Sequence, residues 1–181
     1  LFDACAQAGV QRVVHISALG IDGSNTRYAQ TKRAAEAHLQ TLATQAKLRP
    51  AILRPSVVYG KGGDSSALFM NLARLPLALF PGPMLTARVQ PVSVHDLAAA
   101  VVALLGPALE HTGTIDCTGP EALTMGAFIA SLRQQLGHSP ATVLRLPQPL
   151  TTLSARLGDA VPQSPWCSET LAMLGSDNVG N

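Results

Sequence analysis

The sequence predicts an α/β fold built on a parallel sheet, and three observations carry that prediction. Short β-branched runs alternate with longer segments of helical periodicity. Glycine and proline stand at most of the junctions. Two of the runs, Arg12 to Ser17 and Pro50 to Tyr59, are separated by a helical stretch long enough to cross over a sheet. Strands joined in that way lie parallel, through a right-handed βαβ crossover.

The elements follow in order. Leu1 to Ala8 reads as the end of a helix closed by Gly9. A chain that opens inside a helix and without Met is expected to be a piece of a longer protein. Val13, Val14 and Ile16 make the first strand, and Gly20 to Thr26 is a polar loop in which Ser24, Asn25 and Thr26 each offer a cap. From Arg27 to about Ala46, Ala29, Ala34, Ala35, Leu39 and Leu42 recur at helical spacing. The second strand, Pro50 to Tyr59, is closed by Gly60 and Gly62-Gly63.

Ser66 to Leu75 is a short helix ended by Pro76, and a proline-rich stretch, Pro76 to Pro83, leads to a strand over Arg88 to Val94. His95-Asp96 opens and caps the apolar helix Leu97 to Leu105. Gly113 to Cys117 is a further strand, Thr124 caps the helix Met125 to Leu136, Ala141 to Leu146 is a last strand, and Leu150 to Leu157 a last helix. The polar tail, Gly158 to Asn181, is expected to be poorly ordered.

Composition narrows the function. With 181 residues, 47% of them hydrophobic, the chain buries a sizeable core. A net charge of +2 from only 13% charged residues leaves no basic stripe for nucleic acid. Cys5, Cys117 and Cys167 are widely spaced, which points away from disulfides or a zinc site and towards a reducing cytoplasm. His38, His111 and His138 are scattered and suggest no metal site. The longest apolar stretch, Leu97 to Leu105, is too short to span a bilayer.

The chemistry is concentrated in Tyr28-Ala29-Gln30-Thr31-Lys32, at the start of a helix that follows a buried strand. A tyrosine and a lysine four apart share one helix face. Where that face lines a cleft, the ammonium stabilises a phenolate, and the phenol trades a proton with a substrate hydroxyl or carbonyl. That is the chemistry of a nicotinamide-dependent oxidoreductase. Upstream of Tyr28 there is no glycine-rich turn for a dinucleotide's phosphates. Gly60-Lys61-Gly62-Gly63 opens no long helix in this reading and is taken as the loop leaving the strand near the active site.

The segment V-V-H-I-S-A-L-G-I-D-G-S-N-T-R-Y-A-Q-T-K-R-A-A-E, Val13 to Glu36, resembles the short-chain dehydrogenase/reductase superfamily. It is most similar to the extended and atypical branches, which include the NAD-dependent epimerases and dehydratases. H-I-S-A-L-G and K-R-A-A-E are similar to the complex I NAD(P)-binding subunit. L-R-P-S-V-V-Y-G (Leu53 to Gly60), Q-P-V-S-V-H-D-L-A (Gln90 to Ala98), G-P-E-A-L-T (Gly119 to Thr124) and P-Q-P-L-T-T-L-S-A-R-L-G agree, so the resemblance covers nearly the whole chain.

The resemblance implies a partial Rossmann-like domain, the C-terminal part of a doubly wound sheet, over residues 1–110. A small mixed α/β substrate lobe and tail follow over 111–181, interleaved with segment 60–90. The implied cofactor is NAD or NADP, with its phosphate-binding strands preceding Leu1, so this chain alone should bind dinucleotide poorly or not at all. Tyr28 is placed as general acid/base, with Lys32 holding the nicotinamide ribose and lowering the tyrosine's pKa. Pro55, Ser56, Val57 and Val58 would lie beside the nicotinamide, and Arg88 and Gln90 would face the substrate. The family's third catalytic residue falls on Ser17 or equally on Ala18, and Ser17 reads as either a catalytic or a structural hydroxyl.

Three functions follow from the resemblance: an oxidoreductase, a non-catalytic NAD(P)-binding module, and a nucleotide-sugar epimerase or dehydratase. The partners implied are a small-molecule substrate and a second copy in a homodimer. A membrane is implied only if the parent protein carries a further DoxX-like C-terminal region, as some bacterial relatives do.

Overall fold

The computed structural model describes residues 1–106, 111–161 and 166–180. Its first layer is a three-stranded parallel sheet in the order β1-β2-β7, from β1 (Arg12–Ile16), β2 (Arg49–Pro55) and β7 (Gly113–Cys117). Arg12 pairs with Arg49 and Ile16 with Leu53, while Ala51 pairs with Gly113 and Pro55 with Cys117. Helix α1 (Phe2–Gln7) precedes β1, and α2 (Arg27–Thr44) crosses between β1 and β2.

Each face of the sheet is covered. Leu39 and Leu42 of α2 pack with Leu48 and Ile52 on one side, joined by Phe2, Cys5 and Ala6 of α1. On the other side Leu97 and Leu104 of α5 (Val94–Leu105) pack on Ala51 and Leu53. Alternate residues of β2 thus enter opposite cores, as a strand between two helical layers requires. The fold is α/β with Rossmann-like character. Gly113–Cys117, which a boundary at residue 110 would assign to the lobe, is instead the third strand of this sheet.

The second layer is a small lobe around Phe69, Phe80, Met84, Met125 and Phe128. It is built from α3 (Asp64–Arg74), β4 (Leu77–Pro81), α4 (Gly82–Thr86) and α6 (Met125–Gln135), with β9 (Thr142–Leu146) parallel to β4. Helices α7 (Gln148–Asp159) and α8 (Ser168–Leu174) complete the described chain. Arg133, buried in α6, donates to the carbonyls of Ala73 and Leu75 at 2.9 and 3.0 Å, so one guanidinium satisfies the C-terminus of α3.

Several expected elements differ. The single strand over Pro50 to Tyr59 is two, β2 and β3 (Val58–Tyr59), because the chain changes sheets at Ser56-Val57. Pro91 splits Arg88 to Val94 into β5 (Arg88–Val89) and β6 (Val92–Ser93), and β6 pairs with β3 while β5 pairs with β8 (Leu123–Thr124). The proline-rich stretch forms β4 and α4, since its prolines sit at element ends, where the missing N–H costs little. Gly60 to Gly63 leads directly into the eleven-residue α3, although in the small lobe.

Ser93, not His95-Asp96, caps α5: its hydroxyl accepts from the amides of His95 and Asp96 at 3.1 and 3.3 Å. The tail is not a loose end. Apart from residues 162–165 and 181, which lie outside the described residues, it forms the end of α7, then α8, and then meets β5 and the loops that follow β1 and β2. No helix among the described residues is long and apolar enough to cross a membrane.

Candidate active site

Thr26 starts the helix that bears Tyr28 and Lys32: its hydroxyl accepts from the Ala29 amide at 3.2 Å. Tyr28 and Lys32 follow in the first two turns. Lys32 Nζ donates to the Ile16 carbonyl at the end of β1, 2.9 Å away, and lies 5.6 Å from the centroid of the Tyr28 ring. The pair is therefore assembled at the carboxyl end of β1, where ligands of open α/β sheets bind. Tyr28 keeps 38% of its surface exposed. It lines a small cavity of about 20 Å³ together with Leu19, Ile21, Thr26 and Asn178.

Burial pushes the Tyr28 phenol above its ordinary value, opposite to the lowering expected from Lys32. The physical reason is that the lysine's charge is directed at the Ile16 carbonyl, while half-burial penalises the phenolate. Tyr28 is thus protonated at neutral pH, the form that acts as an acid.

Ser17 is buried at 2% exposure; its amide donates to the Leu53 carbonyl at 2.7 Å, while its hydroxyl makes no well-formed hydrogen bond, though it lies near enough to Glu36 to help hold that carboxylate down. It is absent from the lining of the Tyr28 cavity. The Pro55 carbonyl accepts from the Leu19 amide at 2.9 Å. Ser56 is buried, and its hydroxyl donates to the Asn178 carbonyl at 2.6 Å while accepting from the Gln90 amide at 3.1 Å. Val57 packs on the small-lobe core and Val58 on the core beneath α5, so the segment joins the two layers. Arg88 is exposed, and its main chain is bonded to Asp177 and Asn178. The Gln90 side chain donates to the Gly119 carbonyl at 2.7 Å and accepts from the Gly180 amide at 3.2 Å.

Two groups were not among the expected site residues. Glu36, one turn beyond Lys32 on α2, is 4% exposed and forms a two-pronged pair with Arg54 of β2, at 2.9 and 2.5 Å. Arg54 also reaches Asp22 in the loop before α2, at 2.7 Å. This pair fixes the helix bearing Tyr28 and Lys32 to the sheet. Its signal was an acid at i+8 from the tyrosine and an arginine inside an apolar strand. The second group is Asn178, whose side-chain amide donates to the Leu19 carbonyl at 2.9 Å.

Burial would raise the Glu36 pKa, but the hydrogen bonds from Arg54, aided by Ser17, outweigh it and leave the carboxylate below its usual range. His15, edge-on to Phe2 at 5.5 Å, is lowered by burial and then by Lys32. Both groups titrate lower folded than unfolded, so the unfolded chain binds more protons and stability rises with pH across those windows. The urea midpoint is expected to be level down to pH 6.5, the ordinary histidine value. Below it His15 lowers the midpoint, and below pH 4.5 Glu36 adds a second fall that continues through its folded value. Midpoints measured from pH 8 to 4, with His15→Phe as control, check this: the variant should lose the upper step alone.

The model of the family described as "NAD dependent epimerase/dehydratase family" matches residues 1–115, more than half of the chain. The chain belongs to the NAD-dependent epimerase/dehydratase family. Solved structures with the same fold include UDP-glucose 4-epimerase of Thermus thermophilus in complex with NAD, at 22% identity and a TM-score of 0.61, over 97% of this chain and 67% of that one. UDP-N-acetylglucosamine 4-epimerase of Methanobrevibacter ruminantium is similar at 18% identity and TM-score 0.64, over 81% of this chain and 53% of that one. A double mutant of the dTDP-glucose 4,6-dehydratase DesIV of Streptomyces venezuelae is similar at 22% and 0.63, over 81% and 50%. The chain therefore spans about half to two thirds of the length of these neighbours. No curated protein matches it.

Proposed function

We propose that this chain carries the proton-transfer half of an NAD(P)-dependent oxidoreductase acting at a carbon–oxygen bond. The observation that supports it best is the Tyr28–Lys32 pair held at the carboxyl end of β1 by the Ile16 carbonyl. The residues present fit the nicotinamide end of a dinucleotide. One of the three Lys32 N–H groups is engaged by Ile16, which leaves two for ribose hydroxyls. The bound cofactor would supply or accept the hydride.

In reduction, Tyr28 would donate its proton to the substrate oxygen; in oxidation, its phenolate would take the substrate's proton back. Glu36 and Arg54 hold the helix in register while this happens.

The substrate side is the cleft beyond β3. It is lined by Tyr59, Gly60, Lys61, Phe69, Met70 and Leu132, and Lys61 is the charged side chain of that lining. Such a surface suits a largely apolar alcohol or carbonyl compound better than a nucleoside diphosphate, which needs several cations. The nucleotide-sugar reading rests on the neighbours' chemistry and ranks second.

A fluorescence titration of NADH and NADPH into the complete polypeptide, with residues 1–181 alongside, tests the proposal. Micromolar binding by the complete polypeptide and weak or no binding by residues 1–181 is the expected result. Absence of binding by both would remove the oxidoreductase assignment.

A further inference from the structure

We infer that Asp177–Gly180 is a built-in strap that forms one wall of the active site, with Asn178 as its positioning residue. The segment runs across the carboxyl ends of all three strands of the main sheet. After β1, the Leu19 carbonyl accepts from Asn178 Nδ2 at 2.9 Å. After β2, the Ser56 hydroxyl donates to the Asn178 carbonyl at 2.6 Å. After β7, Gly180 lies so close to Thr118 that a Cβ would stand 2.9 Å from its methyl carbon.

Strand β5 and Gln90 are tied in as well. The Asn178 amide donates to the Arg88 carbonyl at 2.7 Å, Asp177 accepts from the Arg88 amide at 2.8 Å, and the Gly180 amide donates to Gln90 at 3.2 Å. A further tie meets the helix of Tyr28: Glu169 accepts from the Arg27 amide at 2.7 Å, an acid at a helix N-terminus.

These partners are the short strand β5, which Asn178 meets in an isolated parallel bridge at Val89, and the loop residues Leu19, Ser56 and Gln90. Without the segment, Leu19, Arg88 and Gln90 would each lose a hydrogen-bonding partner, and the loops bearing them would lose their register. The orientation of the Asn178 amide is fixed, because turning it would set its oxygen against the Leu19 carbonyl. Its Oδ1 is buried without a partner, and Asn178 lines the cavity that Tyr28 lines. A buried acceptor of this kind is suited to an N–H or O–H of a ligand held beside Tyr28. The segment leaves Tyr28 38% exposed, so it is a wall and not a plug.

The clamping stands on the contacts alone, whereas its effect on dinucleotide binding rests on the function proposed above. The test compares the complete polypeptide with three variants: Asn178→Ala, Ser56→Ala and Ser56→Thr. Amide hydrogen exchange is expected to run at least about tenfold faster at Arg88 and Gln90 in Asn178→Ala and Ser56→Ala, with the Ile52 and Leu53 amides unchanged. Ser56→Thr, which keeps the hydroxyl, should restore protection. NADH affinity should fall about tenfold in Asn178→Ala, as loss of one buried hydrogen-bonding group implies.

Unchanged exchange at Arg88 and Gln90 overturns the strap, and so does tighter NADH binding by Asn178→Ala, which would mark the segment as an obstacle. A wild-type polypeptide that binds neither NADH nor NADPH refutes the proposed function instead, and exchange alone then decides the strap.

Discussion

Tyr28→Phe is expected to lower turnover of the complete polypeptide by about 10²–10⁴-fold, the usual contribution of a positioned acid or base, while leaving NAD(P)H affinity nearly unchanged. In the proposed reaction the phenol oxygen moves the proton, and the ring is what packs. Phenylalanine keeps the ring 5.6 Å from Lys32 Nζ and removes only the hydroxyl. Because burial holds the phenol above its ordinary value, the reductive direction, in which Tyr28 gives up its proton, should stay active to higher pH than an unshifted phenol would permit. Steady-state turnover beside a cofactor titration separates the two effects. A variant that retains turnover would show that Tyr28 is not the acid, and one that loses cofactor binding in step with turnover would assign it to binding.

How much of this site could be read from the chain alone depends on how local each determinant is. The helix start was legible because Thr26, Tyr28 and Lys32 lie within seven residues, and capping and face-sharing act over that range. The crossover from β1 through α2 to β2 was legible because β-branched runs and helical spacing alternate there.

What stayed hidden is long-range. Nothing near Gly113–Cys117 states that it pairs with β2, far earlier in the chain, rather than with its own neighbours. Ser56 reads as a strand residue, yet the chain leaves one sheet there for another, because its hydroxyl bonds a residue 122 positions away. Asn178 lies 159 positions from Leu19, in a stretch whose polar composition looks like a loose tail. Hydrogen bonds hold Asn178 in place, and hydropathy carries no trace of them. The same holds for Glu36 and Arg54: a charge on a helix and a charge in a strand look like surface groups until the fold sets them 2.5 Å apart.

Glu36→Ala is expected to destabilise the chain by about 3 kcal/mol, the lower end of the range for breaking a buried ion pair. Arg54 has a side-chain exposure of 18% and keeps Asp22, so its charge is not left wholly unpaired. That residual partner is why the higher end is not expected. Replacing both residues, as Glu36→Leu with Arg54→Met, should recover much of the loss, since two apolar side chains of similar size need neither solvation nor a partner. The pair therefore contributes register more than net stability: it sets which turn of α2 lies over β2, and so where Tyr28 and Lys32 meet the end of β1. Urea unfolding gives the stability of both variants, and cofactor affinity reports the register. If the double variant is as stable as the parent yet binds dinucleotide weakly, the ion pair is a positioning device. If it binds as the parent does, apolar packing of Leu39 and Leu42 against Ile52 suffices to set the helix, and Glu36 with Arg54 has no part in placing the site.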